Sequence, residues 1–376
     1  MVQKNKTRRI LFFLDTLMMG GAEKQAIILA DYMKNTLHYE VEVWAIDRPE
    51  KGVAILDKAG IAWRICNIDR YAGKLSRVNQ LLKLIKEIRS FKPDVIMPYT
   101  YWPNVLTCAV WKYIGAKTCI WNQRDEGRGI TGHLLEKVAL KNTPVFVSNS
   151  EEGRLFLSRH LKKPKDEIKL IHNAVTLPSV ACNPYQWREK AGVTEKHFVA
   201  CMLANLHGYK DHKTLIDAWK IVYDKRRQQQ PVLLLAGRLD HSYESLKRQA
   251  EDNGIDSYVK FLGGVDDVAG ILSITHLSVF SSRFEGCPNG VLESMKAGLP
   301  IVATSIIGIR EALGDNYAYL TEPFDAQDMA NKIIELMDSP ELRIEIGKEN
   351  ESRVNKLFSR EQMTRDYKLL LDTLLD

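Results

Sequence analysis

The fold is decided by the run Phe284-Glu285-Gly286-Cys287-Pro288-Asn289-Gly290-Val291-Leu292-Glu293-Ser294-Met295-Lys296-Ala297-Gly298-Leu299-Pro300-Ile301-Val302-Ala303-Thr304. The apolar stretch Leu277–Phe280 just before it reads as a strand. Gly286, Pro288 and Gly290 are incompatible with regular structure and predict a loop. Asn289 is expected to cap a helix that opens at Gly290 and closes near Gly298. After Pro300, Ile301–Ala303 reads as a second strand. The loop therefore aims a helix N-terminus at whatever lies beyond the first strand. Free N–H groups and the positive end of the helix dipole favour phosphate there. Glycines let the backbone come close to a ligand. Glu285 falls in the loop and Glu293 about one turn into the helix. Together they can reach different parts of one hydroxyl-rich ligand, since each carboxylate oxygen accepts hydrogen bonds.

The same rhythm extends in both directions. Strand-like runs occur at Ile10–Leu14, Val41–Ile46, Val95–Pro98, Thr118–Trp121, Val145–Val147 and Lys169–Ile171. Helical patterns lie between them: Ala22, Ala26, Leu29, Ala30 and Met33 share one face, as do Leu81, Leu82, Ile85 and Ile88. Asn173–Pro184, with two prolines and little periodicity, reads as a linker. The alternation restarts with Phe198–Met202, Val232–Leu235, Val259–Leu262, Leu277–Phe280, Ile301–Ala303 and Tyr317–Leu320. Helical patterns such as Thr214–Tyr223 intervene. From about Ser339 to Asp376 the chain reads as wholly helical. Strands alternating with helices predict parallel sheets covered on both faces. Two α/β domains of similar size are expected, with ligands beyond the carboxyl ends of the strands and a cleft between the domains.

The bulk composition agrees. A chain of 376 residues, 45% hydrophobic and 27% charged, suits two globular domains. The net charge of +6 is mild and demands no polyanionic partner. The cysteines Cys66, Cys108, Cys119, Cys182, Cys201 and Cys287 show no metal-ligand spacing, and a reducing cytosol is the simplest setting. No stretch approaches the roughly 20 apolar residues that span a bilayer. The basic start and the short run Ile10–Leu14 do not make a signal peptide. A cytoplasmic protein is expected, with any membrane contact peripheral, at the inner face of the cell membrane.

The run from Glu285 resembles the donor-site motif of retaining family-4 glycosyltransferases (glycosyl transferases group 1). That motif has two glutamates separated by seven residues in a block like EGxPNxxxEAMAxGxPVVA. Both glutamates, Gly286, Pro288, Asn289, Gly298 and Pro300 match. Ser294 and Lys296 stand where the family often has alanine. Further segments resemble the family in the same order. Gly20-Gly21-Ala22-Glu23 is similar to its GGAE segment. Ser148-Asn149-Ser150 resembles its ANS turn, and Ile171-His172-Asn173-Ala174-Val175 the IPNGVD segment. Asn205-Leu206-His207-Gly208-Tyr209-Lys210 resembles part of GRLxxxKG. Leu235–Arg238, Val259–Gly263 and Ile307–Glu311 follow.

The resemblance implies a GT-B type fold: two Rossmann-like domains facing a central cleft. The expected limits are 1–180 for an acceptor-side domain, with helix 357–376 packing back on it, and 181–356 for the donor-binding domain. It implies transfer of a sugar from a UDP- or GDP-sugar to a glycan or lipid-linked acceptor hydroxyl, with retention. The setting implied is bacterial polysaccharide or glycolipid synthesis. Glu285 would contact the donor sugar, Glu293 the ribose, and Lys210 the diphosphate. Arg124, at the end of a strand in the first domain, would face the sugar. Gly20, Gly21, Asn205, Gly286, Cys287, Pro288, Asn289, Gly290 and Val291 would line the donor site. The family's diphosphate-binding arginine falls on Asn205, so one cation is missing; Arg124 and Arg283 are candidates to supply it. No metal ligand set, no cofactor and no nucleic-acid partner are expected. A nucleotide-sugar epimerase of the same architecture and a non-catalytic sugar-nucleotide-binding protein are the rival readings.

Overall fold

The structure is a computed structural model that describes residues 7–375 apart from 19, 126, 128, 130, 179 and 182. Of the cysteines, Cys182 lies outside the described residues. The chain divides into two units, Met1–Asn173 with Arg360–Asp376, and Ala174–Ser359.

The first unit runs β1 (Arg9–Leu14), α1 (Gly21–Asn35), β2 (Glu40–Ala45), α2 (Lys51–Lys58), β3 (Ala62–Ile65), α3 (Lys74–Phe91), β4 (Val95–Pro98), α4 (Tyr101–Ile114), β5 (Thr118–Gln123), α5 (Leu134–Asn142), β6 (Val145–Ser148), α6 (Glu151–Leu161) and β7 (Ile168–Leu170). Its seven strands are parallel, in the order β3-β2-β1-β4-β5-β6-β7. The second unit runs α7 (Pro184–Ala191), β8 (Phe198–Leu203), α8 (His212–Arg226), β9 (Pro231–Ala236), α9 (Tyr243–Asp252), β10 (Val259–Gly263), α10 (Val268–Leu272), β11 (Leu277–Phe280), α11 (Asn289–Lys296), β12 (Ile301–Thr304), α12 (Ile307–Leu313), β13 (Leu320–Thr321), α13 (Ala326–Asp338) and α14 (Pro340–Leu357). Its sheet is parallel with the order β10-β9-β8-β11-β12-β13. A last helix, α15 (Arg360–Leu375), belongs to the first unit.

Both sheets are doubly covered, which explains their apolar runs. Alternate residues of β8 enter opposite cores: Ala200 and Met202 face one, Val199 and Cys201 the other. β9 does the same with Leu233 and Leu235 against Val232 and Leu234. In α8, Leu215, Ala218, Trp219 and Val222 recur at helical spacing and are fully buried. Each sheet reverses direction once, between β1 and β4 and between β8 and β11. Such switch points open a crevice at the carboxyl ends of the strands.

Two details depart from the sequence reading. β3 had no apolar run to announce it, because Ala62-Trp63-Arg64-Ile65 alternates exposed and half-buried residues at the sheet's edge. The last strand is Leu320–Thr321; Tyr317 instead uses its hydroxyl to bond Ile301 O (2.9 Å) and so braces the start of β12. The C-terminal stretch is helical, as expected. It breaks at Phe358, which is buried and whose carbonyl accepts from Val175 N (2.9 Å).

Among the described residues no helix is long and apolar enough to cross a membrane. α15 is fixed by Arg360 to Asp31 (2.6 Å), Arg8 to Asp372 (2.5 Å) and the fully buried Tyr367, whose hydroxyl donates to Asn122 Oδ1 (2.8 Å). Tyr367→Phe keeps the ring and strips Asn122 of its donor. It is expected to cost about 1–3 kcal/mol in urea unfolding. An unchanged midpoint would mean that this bond does not hold α15.

Candidate functional site

The second unit's switch point is bounded by the loops after β8 and β11, and these two loops are stitched together. Arg283 N donates to Tyr209 O (2.8 Å) and Arg283 Nη2 to Gly208 O (2.7 Å). Ser281 Oγ donates to Lys210 O (3.0 Å). The stitching sets Lys210 against Glu285, whose Oε1 accepts from both Lys210 Nζ and Ser282 Oγ (2.7 Å). Thr304, at the end of β12, donates to Ser282 O (2.5 Å) and ties a third strand end into the same knot. The side chains of Lys210 and Glu285 are only 16% and 10% exposed, so the pair is largely desolvated. An ammonium and a carboxylate held this way can offer one cation and one acceptor to a ligand without further reorganisation.

α11 begins just beyond Glu285. Asn289 is not its cap, as expected, but its first residue; Pro288 precedes it in extended conformation, with no side-chain cap, and its carbonyl accepts from Leu292 N (3.1 Å). Gly286 and Pro288 are buried, while Cys287, Asn289 and Gly290 are half-buried and Val291 enters the core. Two glycines allow backbone to meet backbone here. A Cβ on Gly290 would lie 2.4 Å from Leu203 O, and one on Gly308 would lie 2.2 Å from Glu285 O. Glu293 is half-buried on the first turns of α11. The two departures from the family's alanines have local uses. Ser294 Oγ donates to Gly290 O (2.9 Å), and Lys296 Nζ to Asn355 Oδ1 (2.5 Å) on α14.

Asn205, in the place of a family arginine, works as a loop clasp. Its Oδ1 accepts from Arg238 N (2.9 Å) and joins the loops after β8 and β9. Nearby, His207 Nε2 lies 3.1 Å from Asp240 Oδ2 and its ring stacks on Tyr209. Asp211 adopts the left-handed conformation (φ 51°) and caps α8 by accepting from Thr214 N (3.5 Å), with Thr214 Oγ1 donating to its other carboxylate oxygen (2.8 Å). His212 follows, 2% exposed. Burial, and secondarily the charge of Lys210, push its pKa down to about 4. It therefore stands neutral beside the lysine loop at neutral pH.

The first unit carries the remaining expected residues. Gly20 caps α1 without a side chain, and Gly21 is the first residue of that helix, at the carboxyl end of β1. Arg124 is committed to its own unit. Its guanidinium donates to Asn173 Oδ1 and Tyr367 Oη (both 3.1 Å) and lies 4.2 Å from the centre of the Tyr99 ring. Asn149 Nδ2 also donates to Asn173 Oδ1 (3.3 Å), so the two asparagines that marked family segments belong to this network. Burial drives the Tyr99 hydroxyl well above its usual range, so it stays protonated. The structure thus brings together Lys210, Glu285, Gly286–Val291 and Asn205 in one unit, and Arg124, Gly20 and Gly21 in the other. Sequence reading assigned no role to Ser282, Thr304, Gly308 or His212. Gly308 fell within the Ile307–Glu311 segment that resembles the family; Ser282 and Thr304 carried no signal, since the Thr304–Ser282 bond joins strand ends 22 positions apart, and the burial of His212 shows only in the fold. Among the described residues no group of three or more His, Cys, Asp or Glu side chains is set to hold a metal ion.

Comparison with known proteins adds to this geometry. Residues 185–353 match the family described as glycosyl transferases group 1. EpsD of Bacillus subtilis (strain 168), assigned as a glycosyltransferase, is 31% identical over 247 residues. That alignment covers 63% of this chain and 64% of EpsD, just under two thirds of the relative's length. The O-antigen chain mannosyltransferase B of Escherichia coli is 24% identical over 287 residues, 73% of each chain. The crystal structure of Anabaena HepE in complex with UDP-glucose superposes with a TM-score of 0.81 at 20% identity, over 97% of this chain and 99% of that one. At that identity the likeness shows the fold: two Rossmann-like units of the GT-B type.

The buried His212 gives a pH test. Its folded pKa is depressed, so the unfolded chain takes up a proton that the folded chain refuses. Its contribution is complete above about pH 6.5 and is lost as pH falls toward 4. The loss should reach roughly 3 kcal/mol at the acid end. Unfolding free energies across that range should fall less steeply in His212→Leu. Parallel slopes for the two proteins would show that the ring titrates normally.

Proposed function

We propose that this chain, whose second unit belongs to the glycosyl transferases group 1 family, moves a glycosyl group from a nucleotide diphosphate sugar to an acceptor hydroxyl with retention of anomeric configuration. The observation that carries this reading is the desolvated Lys210–Glu285 pair at the mouth of the loop that opens α11. A diphosphate suits the uncapped N-terminus of α11 together with Lys210. Glu285, fixed by Ser282, accepts hydrogen bonds from the donor sugar's hydroxyls, and Glu293, further along α11, from the ribose. Binding of UDP-glucose by HepE supports a UDP-hexose as the first donor to try. The mannosyltransferase relative supports a glycan or lipid-linked glycan as acceptor.

In the proposed step the bond from the anomeric carbon to the diphosphate oxygen breaks. Lys210 and the helix N–H groups take up the charge that develops on the leaving diphosphate. The acceptor oxygen attacks the same face, and its proton passes to the departing phosphate. Retention follows from that same-face geometry, with Glu285 orienting the sugar and not attacking it. Arg283, whose guanidinium already lies on the lysine loop, is the second cation of this site.

Glu285→Ala should lower transfer at least about 100-fold, since one lost transition-state contact is worth ~2.7–4 kcal/mol. Purified protein, a panel of UDP- and GDP-sugars and a glycan acceptor suffice for the assay. Near-normal turnover would remove Glu285 from the mechanism. Donor conversion without acceptor would point to an epimerase, and donor binding without any transfer to a silent binding protein. Transfer should also persist in the presence of a chelator; strong inactivation would reveal a required metal.

A further inference from the structure

We propose that Phe324 is a positioning residue for Arg283: its ring holds the guanidinium in place, still charged, for the donor's diphosphate. The proposal rests on the transferase reading above, in which Arg283 is the second cation of the site. It starts from a backbone outlier. Phe324 lies between β13 and α13 in the left-handed conformation (φ 68°) and is 64% exposed. A bulky side chain is rarely found in that region of backbone space. A ring left this open to water also gives up most of the burial that could offset the strain. Glycine is the residue suited to the position. Strain of this kind persists where it serves a site.

The partner of the ring shows what it serves. The Arg283 guanidinium carbon lies 5.7 Å from the centre of the Phe324 ring, within reach of a cation–π contact. β12 stands between β11 and β13, so the residues just beyond these two strands come within side-chain reach across its end. The main chain supplies the other restraints. Arg283 Nη2 donates to Gly208 O (2.7 Å), and the Arg283 backbone N–H to Tyr209 O (2.8 Å). Its Nε is buried and has no hydrogen-bond acceptor among the described residues. Nor does a carboxylate among the described residues pair with Arg283. Asp325, next to Phe324, uses its carboxylate to cap α13, where Oδ1 accepts from Asp328 N (2.8 Å). A carbonyl and a π face orient a guanidinium without neutralising it. Lys210 differs, because Glu285 already matches its charge. Arg283 therefore brings the unmatched positive charge of these two loops, and a diphosphate is the ligand chemistry that such a guanidinium selects. Without the ring the side chain is freer among its rotamers and must be ordered on binding.

The test is calorimetric titration of the full chain with UDP and with GDP, beside donor kinetics. The parent is expected to bind one of the two. Phe324→Leu should weaken that binding roughly fivefold, the share of one cation–π contact, and lower kcat/KM by the same factor. Phe324→Tyr keeps the π face and should bind as the parent does. Phe324→Gly relieves the strain, so it should lower the affinity while its thermal midpoint equals or exceeds the parent's. A merely structural role would move both in one direction. In an Arg283→Met background, Phe324→Leu should have no further effect on binding. The proposal fails if Phe324→Leu binds the diphosphate as tightly as the parent, or if its full effect persists without the Arg283 guanidinium. A parent that binds neither diphosphate would overturn the transferase reading and the positioning role together. A parent that binds, matched by its leucine variant, would overturn the positioning role alone.

Discussion

Lys210 and Glu285 belong to loops 75 positions apart, and their contact is the interaction around which the second unit's strand ends are organised. Two ions taken out of water cost several kcal/mol each unless they meet each other with good geometry. Here they do, and Ser282 supplies a further donor to the same carboxylate oxygen. Removing either partner would leave the other charge buried and unmatched, a larger loss than the pair itself is worth. The surrounding bonds follow from that constraint. Ser281, Arg283 and Thr304 each fix a piece of backbone so that the two charged groups arrive together.

Close backbone contact is the second condition of the site. β8 and β11 are neighbours at the switch point, and α11 starts directly beyond β11. Its first turn can sit there only because Gly290 presents no Cβ to Leu203 O, and Gly308 none to the carbonyls of Glu285 and Gly286. These are steric requirements of the fold, whatever ligand is bound. They also leave the uncapped N-terminus of α11 fixed in direction, which a flexible loop would not do.

The legible part of the sequence is the part governed by local chemistry. β9 is six buried residues in a row, Pro231–Ala236, and could hardly be anything but an interior parallel strand. The loop at Gly286–Gly290 and the helix stop at Gly298 (φ 68°) follow from glycine and proline geometry. What was not legible depends on distant partners. Edge strand β3 shows no apolar run because one side of it has no neighbour. Asn289 looks like a cap by type, yet the backbone of Pro288 takes that place. Ser282 and Thr304 are ordinary residues until their bonds across the strand ends are seen.

Asn205 shows how a departure from a familiar pattern can be locally consistent. A backbone N–H needs an acceptor, and Asn205 Oδ1 supplies it to Arg238. An arginine at 205 has no acceptor atom and could not make that bond. The loops it clasps approach so closely that a Cβ on Gly237 would lie 2.1 Å from Ala204 O. Accepting from Arg238 also settles the orientation of the amide, because its nitrogen cannot take the oxygen's place against an N–H donor. The exchange therefore trades one cation for a fixed turn. Positive charge is not lost from the neighbourhood, since the Arg283 guanidinium rests on Gly208 O in the loop that carries Lys210. Arg124, in the first unit, directs its guanidinium to Asn173, Tyr367 and the face of Tyr99.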